Sequence, residues 1–178
     1  MTEIYDTAEK WEQIIQYYLN ELKHYTLEQL QYKPHPDQWS LGQMYNHLIQ
    51  ISLNMQFPAI NQCLSNEAEC EEEKTEAGVR VFQNGSFPPI KIKLSDRLVP
   101  DFTPAQPESK EELVSGLKKV LEQANEKIDR ISSTPHTGKV AHPRFGALNV
   151  QEWFQLGEMH FRHHLRQKKE LDQILGLS

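Results

Sequence analysis

Four long stretches of this chain carry apolar residues at the three- and four-residue spacing of an amphipathic helix. They begin near residues 6, 40, 109 and 149 and extend to about residues 24, 64, 131 and 175. A helix with one apolar side must bury that side, and four such helices do so most simply by packing against one another. The sequence therefore predicts an all-α four-helix bundle.

Each long stretch opens with a side chain that can cap a helix, followed three residues later by Glu or Gln. These pairs are Asp6 with Glu9, Ser40 with Gln43, Ser109 with Glu112, and Asn149 with Glu152. Thr26 with Gln29 predicts a further short helix between the first two long ones. Trp39, immediately before Ser40, is expected to act as a hydrophobic staple at the start of the second long helix.

The connection between the second and third long helices, residues 65–108, is far longer than the roughly two to eight residues usual between neighbouring bundle helices. It can carry the chain back along the bundle, so these helices are expected to be parallel neighbours or diagonal partners. Residues 79–82 and 90–94 alternate as short strands do, and Asn84-Gly85 lies between them. This crossover is therefore predicted to contain a small hairpin.

Length, composition and charge narrow the class of protein. A chain of 178 residues with 38% apolar and 25% charged residues suits one globular domain, which we place at residues 1–178. No apolar run approaches the roughly 20 residues that span a bilayer, and the amino terminus lacks a signal peptide, so we expect no membrane partner and a cytoplasmic location. A net charge of −6 disfavours binding to phosphate backbones, so nucleic acid is not an expected partner.

The strongest chemical signal is a run that contains three of the eight histidines, His160, His163 and His164. Residues four apart lie one above the other on a helix, so His160 and His164, on the apolar side, can present two imidazoles to one metal ion. His163 projects to the side. The pattern also fits two core histidines that bond to backbone or carboxylate groups. No glutamate forms a His-Glu-x-x-His motif, and Glu158 is expected to be solvated.

Other side chains are candidates for the remaining positions of such a site. His47 lies at the edge of the apolar stripe of the second long helix, where it is either a third ligand or an ordinary boundary histidine. Gln167, three residues after His164, is either a hydrogen-bonding support for that histidine or a surface amide. His142 lies in a loop expected over residues 136–148 and could approach the mouth of the bundle.

Taken together, these residues resemble a known family. The segments Trp39-Ser40, Gln43, His47-Leu48, Phe145-Gly146-Ala147-Leu148-Asn149, Trp153 and the run from His160 to Gln167 are similar to the DinB-like superfamily, which includes the YfiT-like metal-dependent hydrolases. The resemblance covers both halves of the chain and implies a four-helix bundle with a long crossover. It also implies a divalent metal held by one histidine of the second helix and two of the fourth, which by position are His47, His160 and His164.

Three neutral imidazoles leave a divalent ion with an open coordination position, as in catalytic metal sites. We therefore expect a metal-dependent enzyme that activates water to hydrolyse a small-molecule substrate, with Gln167 as a support. One alternative is a transferase that uses a low-molecular-weight thiol at the same metal site, and another is a non-catalytic metal-binding bundle. The resemblance implies nickel or zinc as the metal and a homodimer as the assembly. The sequence does not indicate the substrate.

Overall fold

The computed structural model describes residues 2–65, 70–89, 103–133 and 137–177. A π-helical turn, Ser52–Gln56, joins the third and fourth α-helices into one long helix. Within the described ranges the fold is all-α apart from one two-stranded sheet, as predicted. The elements are α1 (Thr2–Leu22), α2 (Leu27–Gln31), α3 (Leu41–Ile51), α4 (Phe57–Leu64), α5 (Glu76–Asn84), α6 (Lys110–Ser133), β1 (Lys139–His142), β2 (Gly146–Asn149) and α7 (Val150–Ile174).

The long helices α1, α3–α4, α6 and α7 form the bundle. Matched contacts along their lengths show that α1 is parallel to α7 and that α3–α4 is parallel to α6. These contacts are Trp11 with Phe154, Tyr18 with Phe161, Ile49 with Gly116, and Asn61 with Arg130. The start of α3 lies beside the second half of α7, and the end of α4 lies beside the residues that precede α7. The helix α3–α4 is therefore antiparallel to α7. The second and third long helices are therefore parallel neighbours, and the crossover returns the chain along the bundle.

Local capping chemistry sets most helix starts as predicted. Reciprocal capping boxes form in three places, and the Ser109 hydroxyl accepts a hydrogen bond from the backbone N–H of Glu112 at a fourth. The boxes are Thr26 with Gln29, Ser40 with Gln43, and Asn149 with Glu152. The predicted start at Asp6 is wrong, because α1 already begins at Thr2. Ile4 is buried in the core, so tertiary packing extends the helix beyond the predicted cap.

The hairpin predicted in the crossover is wrong for its first strand. Residues 79–82 lie within α5, which ends at Gly85 in the left-handed conformation with a φ of 60°. Gly78 and Val81 are buried while the two residues between them are exposed, so burial follows helical rather than alternating spacing. The second predicted strand, residues 90–94, lies outside the described residues.

A hairpin instead forms inside the loop predicted over residues 136–148. Strands β1 and β2 pair antiparallel, with Val140 opposite Leu148, and Gly146 adopts a φ of 73° beside the backbone of Lys74. Leu148 is fully buried, so the hairpin is anchored to the core. It leads directly into the cap of α7 and so fixes where that helix begins.

Buried aromatic side chains fix the register of α7 within the bundle. Trp11 Nε1 donates to the carbonyl of Phe154 at 2.9 Å, and the Tyr18 hydroxyl donates to the carbonyl of Phe161 at 2.9 Å. The Tyr45 hydroxyl on α3 in turn donates to the carbonyl of Tyr18 at 3.2 Å. These bonds hold α1, α3 and α7 together next to the histidines. Among the described residues, none of the helices combines the length and apolar character needed to cross a membrane.

Candidate metal centre

The start of α3 is held against the end of the crossover by amide side chains that donate to carbonyl groups. Gln43 Nε2 donates to the carbonyl of Pro104 at 2.8 Å, and Asn46 Nδ2 donates to the carbonyl of Ala105 at 2.9 Å. The next residue, His47, faces α7. The capping box and these bonds therefore position His47 on a rigid part of the bundle.

Three imidazoles meet between α3 and α7. His47 Nε2 lies 3.1 Å from His160 Nε2, and His164 Nε2 lies 3.2 Å from the same atom. The donor atoms of the three residues all lie within 4.8 Å of one another. The structure thus brings together the three residues named from the sequence, and we call them the three-histidine cluster.

The three Nε2 atoms cannot satisfy one another by hydrogen bonding. Each imidazole nitrogen carries either one proton or one in-plane lone pair, and His160 Nε2 takes part in both short contacts. At most one of the contacts is therefore a hydrogen bond. A cation among the three nitrogens would satisfy all the lone pairs at once.

Gln167 determines which nitrogen of His164 carries the proton. Gln167 Oε1 lies 2.8 Å from His164 Nδ1. A carbonyl oxygen only accepts, so His164 is protonated on Nδ1 and presents a lone pair on Nε2 towards the cluster. The structure therefore brings Gln167 into hydrogen-bond contact with His164.

The other two histidines are less well satisfied. The Nδ1 atoms of His47 and His160 are buried and have no hydrogen-bond partner among residues 2–65, 70–89, 103–133 and 137–177. A buried polar atom without a partner costs roughly 1–3 kcal/mol. Without further partners, the two imidazoles therefore lower the stability of the fold.

Burial also keeps the three imidazoles neutral. It lowers the pKa of His47 to about 3, with a further contribution from the neighbouring His164. It lowers the pKa of His164 to about 4 and that of His160 well below its ordinary value. Neutral imidazole is the form that binds metal ions, so the lone pairs are available near pH 7.

A divalent ion fits this donor set. Two imidazole nitrogens bound to a tetrahedral zinc ion at about 2.0–2.1 Å lie about 3.3 Å apart. His160 Nε2 lies 3.1 and 3.2 Å from the Nε2 atoms of His47 and His164, and all three donor atoms lie within 4.8 Å of one another. In the described part of the chain, no carboxylate or thiol joins the cluster. The three histidines could therefore hold a metal ion and leave further coordination positions open.

Comparison with known proteins identifies the family. The sequence model of the DinB superfamily matches residues 10–167, a range that includes all three histidines. The chain belongs to the DinB superfamily. It is also similar to the uncharacterised protein YuaE of Bacillus subtilis (strain 168), with 25% identity over 160 residues that cover 86% of this chain and 90% of YuaE. No solved structure gives a significant match.

Two aromatic side chains flank the cluster of this DinB-superfamily protein. The Trp39 ring lies 4.9 Å from the ring of His47, and the Phe87 ring lies 6.2 Å from that of His160. The sequence predicts Trp39 only as a helix staple and does not predict Phe87 at all. No local pattern locates Phe87, because its position depends on how the crossover packs against α7.

Two residues near the cluster on α7 test predictions made from the sequence, one correct and one wrong. His163 lies outside the cluster, as its helical phase predicts, with its ring 5.5 Å from that of His164. Glu158, predicted to be solvated, is instead buried, and Arg162 donates to both of its carboxylate oxygens at 2.9 Å. An arginine one helical turn later makes this burial tolerable, and the prediction did not consider that pair.

His142 is not part of the cluster and organises the turn of the hairpin. Its Nδ1 accepts hydrogen bonds from the backbone N–H groups of Arg144 at 3.1 Å and Phe145 at 3.2 Å. Its ring stacks on that of Phe145 with a centroid distance of 4.5 Å. Burial, together with the charge of Arg144, lowers the pKa of His142 to about 4. This histidine has a structural role.

Proposed function

We propose that this DinB-superfamily protein is a metal-dependent hydrolase of small molecules, with His47, His160 and His164 as the ligands of one divalent ion. The convergence of three neutral imidazole nitrogens carries the proposal. Imidazole ligands suit both nickel and zinc, so we propose one of these as the resident metal. Three protein ligands with open positions are typical of catalytic rather than structural sites.

A divalent ion bound here would lower the pKa of a coordinated water and polarise a substrate carbonyl, which is the chemistry that hydrolysis requires. The protein holds the three imidazoles at fixed separations before any substrate arrives. Gln167 keeps the lone pair of His164 directed at the cluster. Trp39 and Phe87 place apolar rings beside the histidines, which limits bulk water next to the reacting groups.

One observation supports a second candidate function, transfer of a low-molecular-weight thiol at the same cluster. In the described part of the chain, no carboxylate lies in the cluster to accept a proton from water. A thiol has a pKa of about 8.5 and ionises far more readily than water, so it requires less help from a protein base. Thiol transfer therefore demands fewer groups than hydrolysis does.

Assays of activated esters and amides, with and without an added low-molecular-weight thiol, test both functions. For a hydrolase, metal-loaded wild-type protein cleaves at least one substrate without thiol, and His160→Ala lowers kcat/KM by at least about 100-fold. For a transferase, product forms only when thiol is present. His35→Ala, which removes an exposed histidine outside the cluster, is the matched control and keeps the wild-type rate. Equal rates in wild type and His160→Ala would overturn both functions.

A further inference from the structure

A cleft of about 180 Å³ lies beside the three-histidine cluster. Its walls include Ser86, Phe87 and Pro89 from the segment after α5, and Arg162, His163 and Arg166 from α7. We call it the arginine cleft. Its polar side comes from the face of α7 next to the one that carries His160 and His164.

The arginine cleft and the three-histidine cluster share a wall. The Phe87 ring lies 5.3 Å from the ring of His163 in the cleft and 6.2 Å from that of His160 in the cluster. The rings of His163 and His164 are 5.5 Å apart, edge to face. The cleft therefore lies directly against the cluster, at a distance that one small molecule can span.

The cleft carries positive charge in a chain whose net charge is −6. Arg162 is neutralised, because Glu158 accepts two hydrogen bonds from it. Arg166 is not neutralised to the same degree. Its Nη1 donates to the uncharged carbonyl of Pro89, and its Nε lies 3.8 Å from Glu170 in a pair whose side chains are 44% and 45% exposed. Solvent weakens such a pair, so among the described residues Glu170 offsets the charge of Arg166 only in part.

The side chains that line the cleft set its charge. Among the described residues, its lining contains two arginines and one histidine and no carboxylate. The described lining therefore makes the cleft an electropositive recess beside the three-histidine cluster.

We propose that the substrate carries a carboxylate, which Arg166 and His163 bind in the arginine cleft while the reacting group lies at the three-histidine cluster. The proposal deepens the proposed function by naming a substrate class, and it rests on that function for the position of the reacting group. An arginine can bind a carboxylate through two parallel N–H donors, and the ring N–H of His163 supplies a further donor. Among the described residues, the carboxylate partner of Arg166 is 3.8 Å away and about half exposed, whereas that of Arg162 is 2.9 Å away and buried, so a singly charged anion can bind at Arg166.

Carboxylate binding in the cleft is tested first without metal. Wild-type protein is titrated with propionate and with propionamide, its neutral counterpart, while NMR follows the signals of His163 and Arg166. Propionate should give saturable shifts at both residues, and propionamide should give none. Arg166→Gln should weaken propionate binding at least about fivefold, whereas Arg80→Gln, which removes an exposed arginine on α5, should leave it unchanged. Equal shifts with propionamide, or with chloride at the same ionic strength, would overturn the proposal.

A second arm connects the cleft to the cluster. Protein loaded with Co²⁺ is titrated with 3-mercaptopropionate and with 3-mercaptopropionamide, and the thiolate-to-cobalt absorption gives each Kd. Wild type should bind the carboxylate-bearing thiol at least about tenfold more tightly than Arg166→Gln does, and the amide equally in both. Equal Kd values for the carboxylate-bearing thiol in the two proteins overturn the proposal. If Co²⁺ does not bind the histidines, the proposed function fails, and the NMR titration still decides whether the cleft binds carboxylate.

Discussion

Helix α7 carries two clusters of polar side chains, one turn apart, that differ in how well their atoms are paired. In one, which we call the lysine network, the Lys168 ammonium lies 2.6 Å from Glu21 and 2.7 Å from Asp172, and Tyr25 donates to Asp172 at 2.6 Å. In the three-histidine cluster, three imidazole Nε2 atoms lie close together and cannot all hydrogen bond to one another. Two of the Nδ1 atoms also lack a hydrogen-bond partner among the described residues. A network with its hydrogen bonds made stabilises the fold, whereas an unsatisfied one is suited to binding a ligand.

Protonation separates the two clusters further. Burial alone would lower the pKa of Lys168, but hydrogen bonds to Asp172 and Glu21 raise it above its ordinary value. Burial lowers the pKa of all three histidines, and no carboxylate near them compensates in the described structure. Charge is therefore preserved where opposite charges are present and removed by burial where, among the described residues, they are absent. The lysine network is suited to an ion pair, and the histidine cluster to neutral ligands.

The largest effect on folding is expected in the lysine network. Lys168→Met leaves Glu21 and Asp172 without their shared cation, and removing one partner of a buried pair costs about 3–5 kcal/mol. Glu21 is 30% exposed, so we expect a loss near the lower end, about 3 kcal/mol, in urea unfolding at pH 7. Lys169→Met removes an exposed lysine and serves as the control, with a loss under about 0.5 kcal/mol. Equal losses in the two variants would remove the contrast between the clusters.

The next largest effect is the stabilisation of the fold by metal, which the histidines should provide without contributing much to metal-free stability. Zn²⁺ at a free concentration of 100 times its Kd should stabilise the wild-type protein by about 2.7 kcal/mol. His160→Leu should abolish that gain and change the metal-free stability by less than about 1 kcal/mol, because it also removes an unpartnered Nδ1. Urea unfolding with and without Zn²⁺ measures both quantities. A metal-free loss above about 3 kcal/mol would instead make the cluster a stability element like the lysine network.

A smaller effect is expected from the support of His164. Gln167→Leu removes the acceptor of the Nδ1 proton, and loss of such a support typically weakens metal binding by about 10- to 100-fold. Competition with a chromogenic chelator measures the Kd. Gln173→Leu changes an exposed glutamine on the same helix and should leave the Kd unchanged. An unchanged Kd in Gln167→Leu would show that the observed hydrogen bond does not affect the metal site.

The smallest effect concerns His142, which is buried and neutral like the cluster but partnered like the lysine network. Its pKa of about 4 in the folded protein lies below its ordinary value of 6.5, so the unfolded chain binds the extra proton first. The stability from neutral His142 is therefore complete above pH 6.5 and is lost as the pH falls towards 4. The two pKa values correspond to about 3 kcal/mol for the full loss, and partial exposure of the ring reduces the expected loss to about 1–2 kcal/mol. Urea unfolding at pH 7 and pH 4.5 should show a smaller loss in His142→Gln than in wild type or in His35→Gln. The same pH dependence in all three proteins would contradict this role.

Much of the bundle can be predicted from local chemistry. The predictions fail where tertiary contacts determine the local structure. The caps at Ser40 and Asn149 predict the starts of α3 and α7 because capping involves only neighbouring residues. The start at Asp6 is wrong because burial of Ile4 extends α1. The crossover hairpin is wrong for residues 79–82 because that segment packs one helical side onto the core, which alternation alone does not reveal.

The site is predictable to the extent that it lies on helices. Helical phase alone separates His160 and His164 from His163, whereas His47 follows only from the family resemblance, since the angle between two helices cannot be read from either one. Phe87 and the arginine cleft depend on the path of the crossover, which no periodic pattern specifies. Metal identity, hydrolysis or thiol transfer, and assembly as a homodimer stay predictions.

Metal analysis of purified protein tests the central claim most directly. Protein prepared without chelators is analysed by inductively coupled plasma mass spectrometry for wild type, His160→Ala and His163→Ala, which removes the neighbouring histidine outside the cluster. We predict roughly one divalent ion per chain in wild type and His163→Ala, and almost none in His160→Ala. A full complement of metal in His160→Ala, or equal loss in both variants, would contradict a site formed by His47, His160 and His164.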